Sequence, residues 1–292
     1  FLRTMSPPYV VKTDGLAAGK GVLATDDLAA AEADVRAKLA GAAFGPAGRT
    51  VVIEEGMVGP EVSVFAICDG TRAIALAPAQ DFKRVGDADT GPNTGGMGAY
   101  CPLPWLPDGF ADDVIERFVQ PTLDELRRRG IDYRGVLYTG LMLTDDGPRL
   151  VEFNVRFGDP DSQVVLVRLT SDLADLLAAA ADGQLGADPT YGDGAAVLVV
   201  AAAEGYPVDV RTGDPIECLA AAAAVDGVSV YSAGVASGDD GGLVTAGGRV
   251  LEVVGQGPDL ATARARAYDA VGRLAWPGLH HRSDIADQVA PA

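Results

Sequence analysis

Val151-Glu152-Phe153-Asn154-Val155-Arg156-Phe157-Gly158-Asp159-Pro160-Asp161 alternates apolar and polar residues in the manner of a strand. Successive side chains of a strand point to opposite faces, so Glu152, Asn154 and Arg156 are expected on one face, about 7 Å apart in turn. A carboxylate and an amide oxygen suit a hard cation such as Mg²⁺, which takes few protein ligands and fills its remaining positions with water and phosphate. The Arg156 guanidinium offers a planar fork for phosphate oxygens. Gly158-Asp159-Pro160 breaks the strand and leaves one more acid at its end. A solvated polar strand edge has the same pattern, so the neighbouring sequence must separate the two readings.

The 292 residues are enough for two domains and a large core. Lys and Arg number 23 against 41 Asp and Glu, a net charge of −18, which argues against nucleic acid or an anionic membrane as partner. An anionic ligand must then be met by a few local cations, so lysines in glycine-rich context matter more than the total. Cys68, Cys101 and Cys218 lie far apart without metal-ligand spacing, and read as buried thiols of a cytoplasmic protein. No transmembrane run or signal peptide is visible.

Lys12 opens the stretch Thr13-Asp14-Gly15-Leu16-Ala17-Ala18-Gly19-Lys20-Gly21. It lacks Walker A spacing, and a strand follows where that motif has a helix. A β-loop-β flap fits better, with Lys20 and backbone N–H groups approaching phosphates and Lys12 reaching from the strand. A helix is expected over residues 27–40, capped by Thr25 or Asp26. Arg49 to Ile53 reads as a strand that pauses at Glu54-Glu55-Gly56-Met57 and resumes after Glu61. This pause suits a hinge whose backbone reads an adenine edge while Glu61 holds ribose hydroxyls. Residues 85–100 form a long loop in which Asn93, Thr94, Gly95 and Gly96 offer N–H, amide and hydroxyl donors to a phosphate or carboxylate.

The remaining elements are helices over 111–129 and 163–181, a hairpin from the apolar strand 135–143 into the opening stretch, strands over 195–203, 228–231 and 243–252, and a helix over 260–274. Arg127-Arg128-Arg129 reads as a structural helix end, and His280 and His281 carry no expected role. A change of composition near 190–194 marks a domain boundary.

Flap, hinge and the Glu152/Asn154 wall occur in the order that resembles the ATP-grasp fold. Lys12–Gly21, Gln80-Asp81-Phe82-Lys83-Arg84, the run from Asp89 to Tyr100 and Glu152–Pro160 together resemble the phosphoribosylamine–glycine ligase family. Gly205-Tyr206-Pro207, Arg211-Thr212-Gly213-Asp214 and Gly247-Gly248-Arg249-Val250 resemble that family's C-terminal domain. The resemblance implies an α/β (α+β) chain, with an ATP-grasp domain over 1–192, a lid over about 9–75, and a small C-terminal α/β domain over 193–292. The family's N-terminal domain is expected to be absent from this chain, and a segment of the family is expected to be missing at the join near Ser6. Gly56 stands where relatives tend to carry an aromatic, and Val58 where an acid is common.

The implied reaction joins glycine to 5-phosphoribosylamine at the cost of ATP, through a glycyl phosphate. It implies ATP and Mg²⁺ (or Mn²⁺) as cofactors, no nucleic-acid or membrane partner, and a monomer or weak homo-oligomer. Glu152 and Asn154 are the implied metal ligands. Lys12, Lys20, Glu54, Glu55, Gly56, Met57 and Glu61 are implied at the nucleotide, with Arg156 and Lys20 assisting phosphoryl transfer. Asp81, Lys83, Asn93, Thr94, Gly95, Gly96 and Asp159 are implied at the other substrates. Many ATP-grasp enzymes carry a further metal-binding acid on the preceding strand; Tyr138-Thr139-Gly140-Leu141-Met142-Leu143 has none, so fewer protein ligands are expected. The alternatives are another ATP-grasp carboxylate–amine ligase and a nucleotide-binding module without turnover.

Overall fold

The strand bearing Glu152 and Asn154 runs from Gly147 to Asn154 and leaves a hairpin whose other arm is Arg134–Thr144. The structure is a computed structural model that describes residues 1–17 and 21–289. It contains two compact units, Phe1–Pro60 with Met142–Pro148, and Glu61–Leu141 with Arg149–Ala292.

In the first unit β1 (Tyr9–Thr13), β2 (Val22–Thr25) and β3 (Val51–Glu55) form an antiparallel sheet in the order β2-β1-β3. Helix α1 (Leu28–Leu39) covers it, and Tyr9, Val11, Ala31 and Leu2 make the core with Ile53, Val51 and Val35. The cap is Asp27, one residue later than Asp26 and two later than Thr25. Asp27 has extended backbone, and its Oδ1 accepts from Ala29 N at 2.8 Å. Leu2–Thr4 is a 3₁₀ turn, and Gly45–Arg49 is another before the strand. At Gly56 a Cβ would lie 2.0 Å from the Pro8 carbonyl oxygen, so an aromatic there would collide with backbone.

The second unit opens with β4 (Glu61–Asp69), β5 (Ala73–Ala75), β6 (Gln80–Asp81), the hairpin β7 (Arg84–Gly86) and β8 (Thr90–Asn93), and β9 (Gly98–Cys101). The expected long loop over 85–100 is thus largely paired. Its strands are short: β7 and β8 pair locally with each other, while β9 finds its partner far away in β12 (Ala195–Ala202), Leu198 opposite Ala99. Helices α2 (Phe110–Val114) and α3 (Gln120–Arg128) are joined by a π turn, Ile115–Val119. Pro121 offers no N–H and would crowd the carbonyl one turn back, which the wider turn relieves. Arg127 pairs with Asp124, and Arg128 and Arg129 with Glu125, a local structural network.

With β10 (Arg134–Thr144) and β11 (Gly147–Asn154) one sheet runs β11-β10-β4-β5. The expected helix over 163–181 is two helices, α4 (Asp161–Leu166) and α5 (Leu173–Asp182). Asp172 accepts from Ala174 N and Asp175 N and starts the second, while Leu169 bridges to Tyr191. After β12 come α6 (Leu219–Ala223), β13 (Val228–Ser232), β14 (Val235–Ser237), β15 (Leu243–Thr245), β16 (Arg249–Gly257) and α7 (Leu260–Val271). The second large sheet runs β13-β16-β12-β9-β6, so strands from both sides of residue 192 share it.

Strand β12 is buried along its whole length, which explains its unbroken apolar run. Phe65, Ile67, Tyr138, Val164, Val165, Leu198 and Val254 meet in one core. Cys68 and Cys101 are buried, Cys101 in this core, whereas Cys218 is exposed: it holds the left-handed turn (φ 61°) that precedes α6. Leu198→Ala removes a fully buried side chain from the central strand. It should lower the unfolding free energy by about 2–5 kcal/mol, read as a drop in the urea midpoint at unchanged slope. A loss under about 1 kcal/mol would contradict this account of the core.

Candidate active site

Strand β11 places Glu152 and Asn154 on one face, and Asn154 Nδ2 donates to Glu152 Oε1 at 2.9 Å. That contact leaves the amide oxygen and the second carboxylate oxygen outside the bond, a donor pair whose chemistry fits a hard divalent cation with water and phosphate as its other ligands. Among the described residues no cluster of three or more His, Cys, Asp or Glu side chains could hold a metal. The strand stops at Asn154. Val155 is 72% exposed, so the alternation does not reach Arg156, which leaves the chain beyond the strand end. Its guanidinium is exposed, and Nη1 donates to Phe157 O at 2.8 Å.

The turn that follows is tight. A Cβ on Gly158 would lie 1.9 Å from Asp161 Oδ1, and Ser162 Oγ donates to Gly158 O at 2.5 Å. Asp161, 3% exposed, starts α4 and faces inward. Burial raises its carboxyl, against a hydrogen bond from Ser63 and the positive charges of Lys83 and Arg156. Ser63 in turn shares a hydrogen bond with Tyr138 Oη at 3.0 Å.

Asp81 and Lys83 flank Phe82 and enter the same interior. Lys83 Nζ donates to Glu61 Oε2. Burial works against the ammonium, yet Asp81, Glu61 and Tyr138 hold its pKa well above the ordinary value. Burial pushes Asp81 up to about 7, with Asp161 and Glu61 adding to the rise and Lys83 opposing it. Glu61, expected at a ribose, therefore sits in an ion pair with an expected substrate residue.

The 93–96 loop is fastened from within. Thr94 N and Oγ1 both donate to Lys83 O, at 2.7 and 2.8 Å. Gly96 N donates to Thr94 Oγ1 at 2.9 Å, and Gly95 N to Tyr206 Oη at 2.9 Å. The expected backbone donors of Thr94, Gly95 and Gly96 thus already have protein acceptors. Arg249 Nη1 joins the loop to the end of the opening stretch: it donates to Gly95 O at 3.0 Å and Asp159 O at 2.9 Å, and pairs with Asp159 Oδ1 at 2.8 Å.

Tyr206, Arg249, Glu252 and Asp161 escaped assignment from sequence. Only the motifs Gly205-Tyr206-Pro207 and Gly247-Gly248-Arg249 gave a signal, and it carried no role. In the first unit Lys12 Nζ pairs with Glu54 Oε2 at 2.5 Å across neighbouring strands. Glu55 ends β3, and Gly56 and Met57 follow it. Lys20 lies outside the described residues.

The family model described as the phosphoribosylglycinamide synthetase ATP-grasp (A) domain matches residues 1–162, and the one described as its C domain matches 196–288. The chain belongs to the phosphoribosylglycinamide synthetase family. A phosphoribosylamine–glycine ligase of Streptomyces coelicolor is 52% identical over 295 residues, covering all of this chain and 68% of that protein. One of Mycobacterium tuberculosis is 50% identical over 286 residues, covering 97% of this chain and 65% of that one. The chain thus spans about two thirds of the length of these relatives. The crystal structure of a phosphoribosylamine–glycine ligase of Thermotoga maritima superposes with a TM-score of 0.84 at 37% identity, over 98% of this chain and 70% of that one. A biotin carboxylase domain of Hydrogenobacter thermophilus matches at TM-score 0.69 and 15% identity, a likeness of fold alone. The fold of this synthetase-family chain is ATP-grasp, as its motifs imply, and the family uses ATP. Among the described residues no helix is long and apolar enough to cross a membrane.

The raised Asp81 carboxyl has a consequence for this family member's stability. Its folded value of about 7 exceeds the unfolded value of about 3.9, so the folded chain keeps a proton that the unfolded chain releases. This group's contribution therefore falls as pH rises from about 4 to about 7. Asp81→Asn cannot ionise and should flatten that slope, seen in urea midpoints at about pH 5 and about pH 7.5. An identical pH dependence in variant and parent would exclude the shift.

Proposed function

We propose that the chain catalyses the ATP-dependent ligation of glycine to 5-phosphoribosylamine, giving glycinamide ribonucleotide, ADP and phosphate in purine biosynthesis. The observation that carries this reading is the Glu152 carboxylate and Asn154 amide side by side on one strand face, close in sequence to an acid, Asp159, that Arg249 ties to the 93–96 loop. A glycine carboxylate is a poor electrophile and must first become an acyl phosphate. That transfer needs positioning and charge neutralisation more than covalent help.

Glu152 and Asn154 would hold Mg²⁺ or Mn²⁺, and a cation there would neutralise the terminal phosphate oxygens. Lys12 and Lys20 bind phosphate oxygens, and Arg156 follows the moving phosphoryl group, its exposure leaving the guanidinium accessible. Glu54, Glu55, Gly56, Met57 and Glu61 belong to the nucleotide side. Asp81, Lys83, Asn93, Thr94, Gly95, Gly96 and Asp159 serve the glycine and phosphoribosyl groups, and the two glycines make room for Arg249 and Pro160, which a Cβ would approach to 2.9 and 2.3 Å. Residues 1–192 act as the ATP-grasp domain, with a lid over about 9–75 that keeps water from the acyl phosphate. Residues 193–292 form the C-terminal ligase domain. The protein works in the cytoplasm as a monomer or weak homo-oligomer.

Phosphate release on adding ATP, glycine and phosphoribosylamine tests this reading, with other amino acids in place of glycine as the control. Equal release with another acceptor would favour a different ligase of the fold, and binding of a non-hydrolysable ATP analogue without release would favour a module lacking turnover. Glu152→Ala should lower turnover by about a hundredfold or more at saturating Mg²⁺. Ordinary turnover in that variant would remove the metal assignment.

A further inference from the structure

Glu252 has no part in the reaction just described, yet it is among the most enclosed acids of the chain. It is 2% exposed on β16. Its Oε2 accepts from Gln163 Nε2 at 2.5 Å, which fixes the carboxyl plane from α4. Its Oε1 is buried without any hydrogen-bond donor. The nearest cation, Arg249 Nη1, is 4.0 Å from that oxygen and is engaged instead by Asp159 Oδ1 at 2.8 Å. Asp159 and Glu252 thus flank the same guanidinium nitrogen, at 2.8 and 4.0 Å, and Asp159 is the acid beside the unpartnered oxygen. Two ionised carboxylates cannot satisfy each other, whereas one proton between them satisfies both.

We propose that Glu252 and Asp159 share one proton beside Arg249, and that the pair accepts the proton released when the amine forms the amide bond. This rests on the ligase reading above. The lone pair of the phosphoribosylamine nitrogen attacks the carbonyl carbon of glycyl phosphate, and the C–N bond forms. The C–O bond to phosphate breaks, its electron pair leaving with the phosphate. The N–H proton passes to the Asp159 carboxylate, whose side chain is 46% exposed and returns it to solvent. Glu252 does not touch substrate; it is a positioning residue that holds Asp159 in place with the shared proton.

The charged groups facing Glu252 are Asp159 from the turn after β11 and Arg249 from its own strand; Gln163 is neutral, and Val200 and Tyr231 are its register partners across the sheet. Burial first, then the hydrogen bond and charge of Asp159, push Glu252 up to about 8, against Arg249 and Gln163. The acid is therefore protonated at neutral pH, and one negative charge faces Arg249. Above about pH 8 the pair becomes dianionic and Asp159 is repelled.

Two measurements test the pair. In the whole protein, the difference infrared spectrum of parent minus Glu252→Gln at about pH 7.5 should show the loss of one protonated carboxylic acid, over and above any contribution of Asp81 and Asp161 common to both; a spectrum unchanged by the substitution overturns the shared proton, whatever the reaction. In kinetics, ligation should decline above about pH 8, and Glu252→Gln, which can still donate to Asp159 but cannot ionise, should lose that decline. Asp159→Asn should slow ligation by about a hundredfold or more while glycyl phosphate, trapped with hydroxylamine, falls much less. An unaltered alkaline limb in Glu252→Gln, or equal loss of both steps in Asp159→Asn, overturns the proposal. Absence of trapped glycyl phosphate in the parent protein would instead remove the ligase reading and leave the infrared result to decide the pair.

Discussion

The half-buried charge of Lys83 is the constraint around which the second unit is arranged. A partly desolvated ammonium is costly unless paired, and its partners must come from elements that pack against it. Glu61 comes from the start of β4, Asp81 from β6, and Asp161 from the first turn of α4. The backbone carbonyl of Lys83 also receives both donors of Thr94. One side chain and its carbonyl thus fix a strand start, a helix start and the root of the 93–96 loop. Burial raises both Asp81 and Asp161, and the nearby Lys83 opposes the rise without cancelling it.

The same logic operates a second time through the C-terminal segment. Arg282 is 1% exposed and pairs with Asp89 and Asp284, each at 2.7 Å, while its guanidinium lies 4.8 Å from the Phe82 ring centre. Ser283 N and Ala88 N add bonds to Asp87 and Asp284. The β7–β8 hairpin is thereby held by residues almost two hundred positions away in sequence. Arg249 does the equivalent for Gly95 and Asp159. Loop order near the proposed substrate groups is supplied by the last third of the chain, not by the loop's own sequence.

The first unit follows a different rule. Its sheet is small, and local chemistry explains most of it: Asp27 caps α1, and Thr13 N bonds Gly21 O to close the β1–β2 hairpin. Lys38 is an exception. It is 1% exposed and satisfies its charge with Asp34 at 2.5 Å and the Val11 carbonyl at 3.3 Å, stapling the helix to β1.

Sequence alone determined the family, the ATP-grasp fold, the strand carrying Glu152 and Asn154, and most element types, because period-two alternation, caps and glycine-rich motifs are local signals. It misjudged where those signals stop: the strand ends before Arg156, Pro121 forces a π turn, and Asp172 splits a helix. Only tertiary structure decided that residues 85–100 are paired strands, that Glu61 meets Lys83, and that Arg249, Glu252 and Arg282 matter. Those contacts join residues far apart in the chain. Their energies depend on burial and on which charge faces which, and neither is encoded in any single stretch.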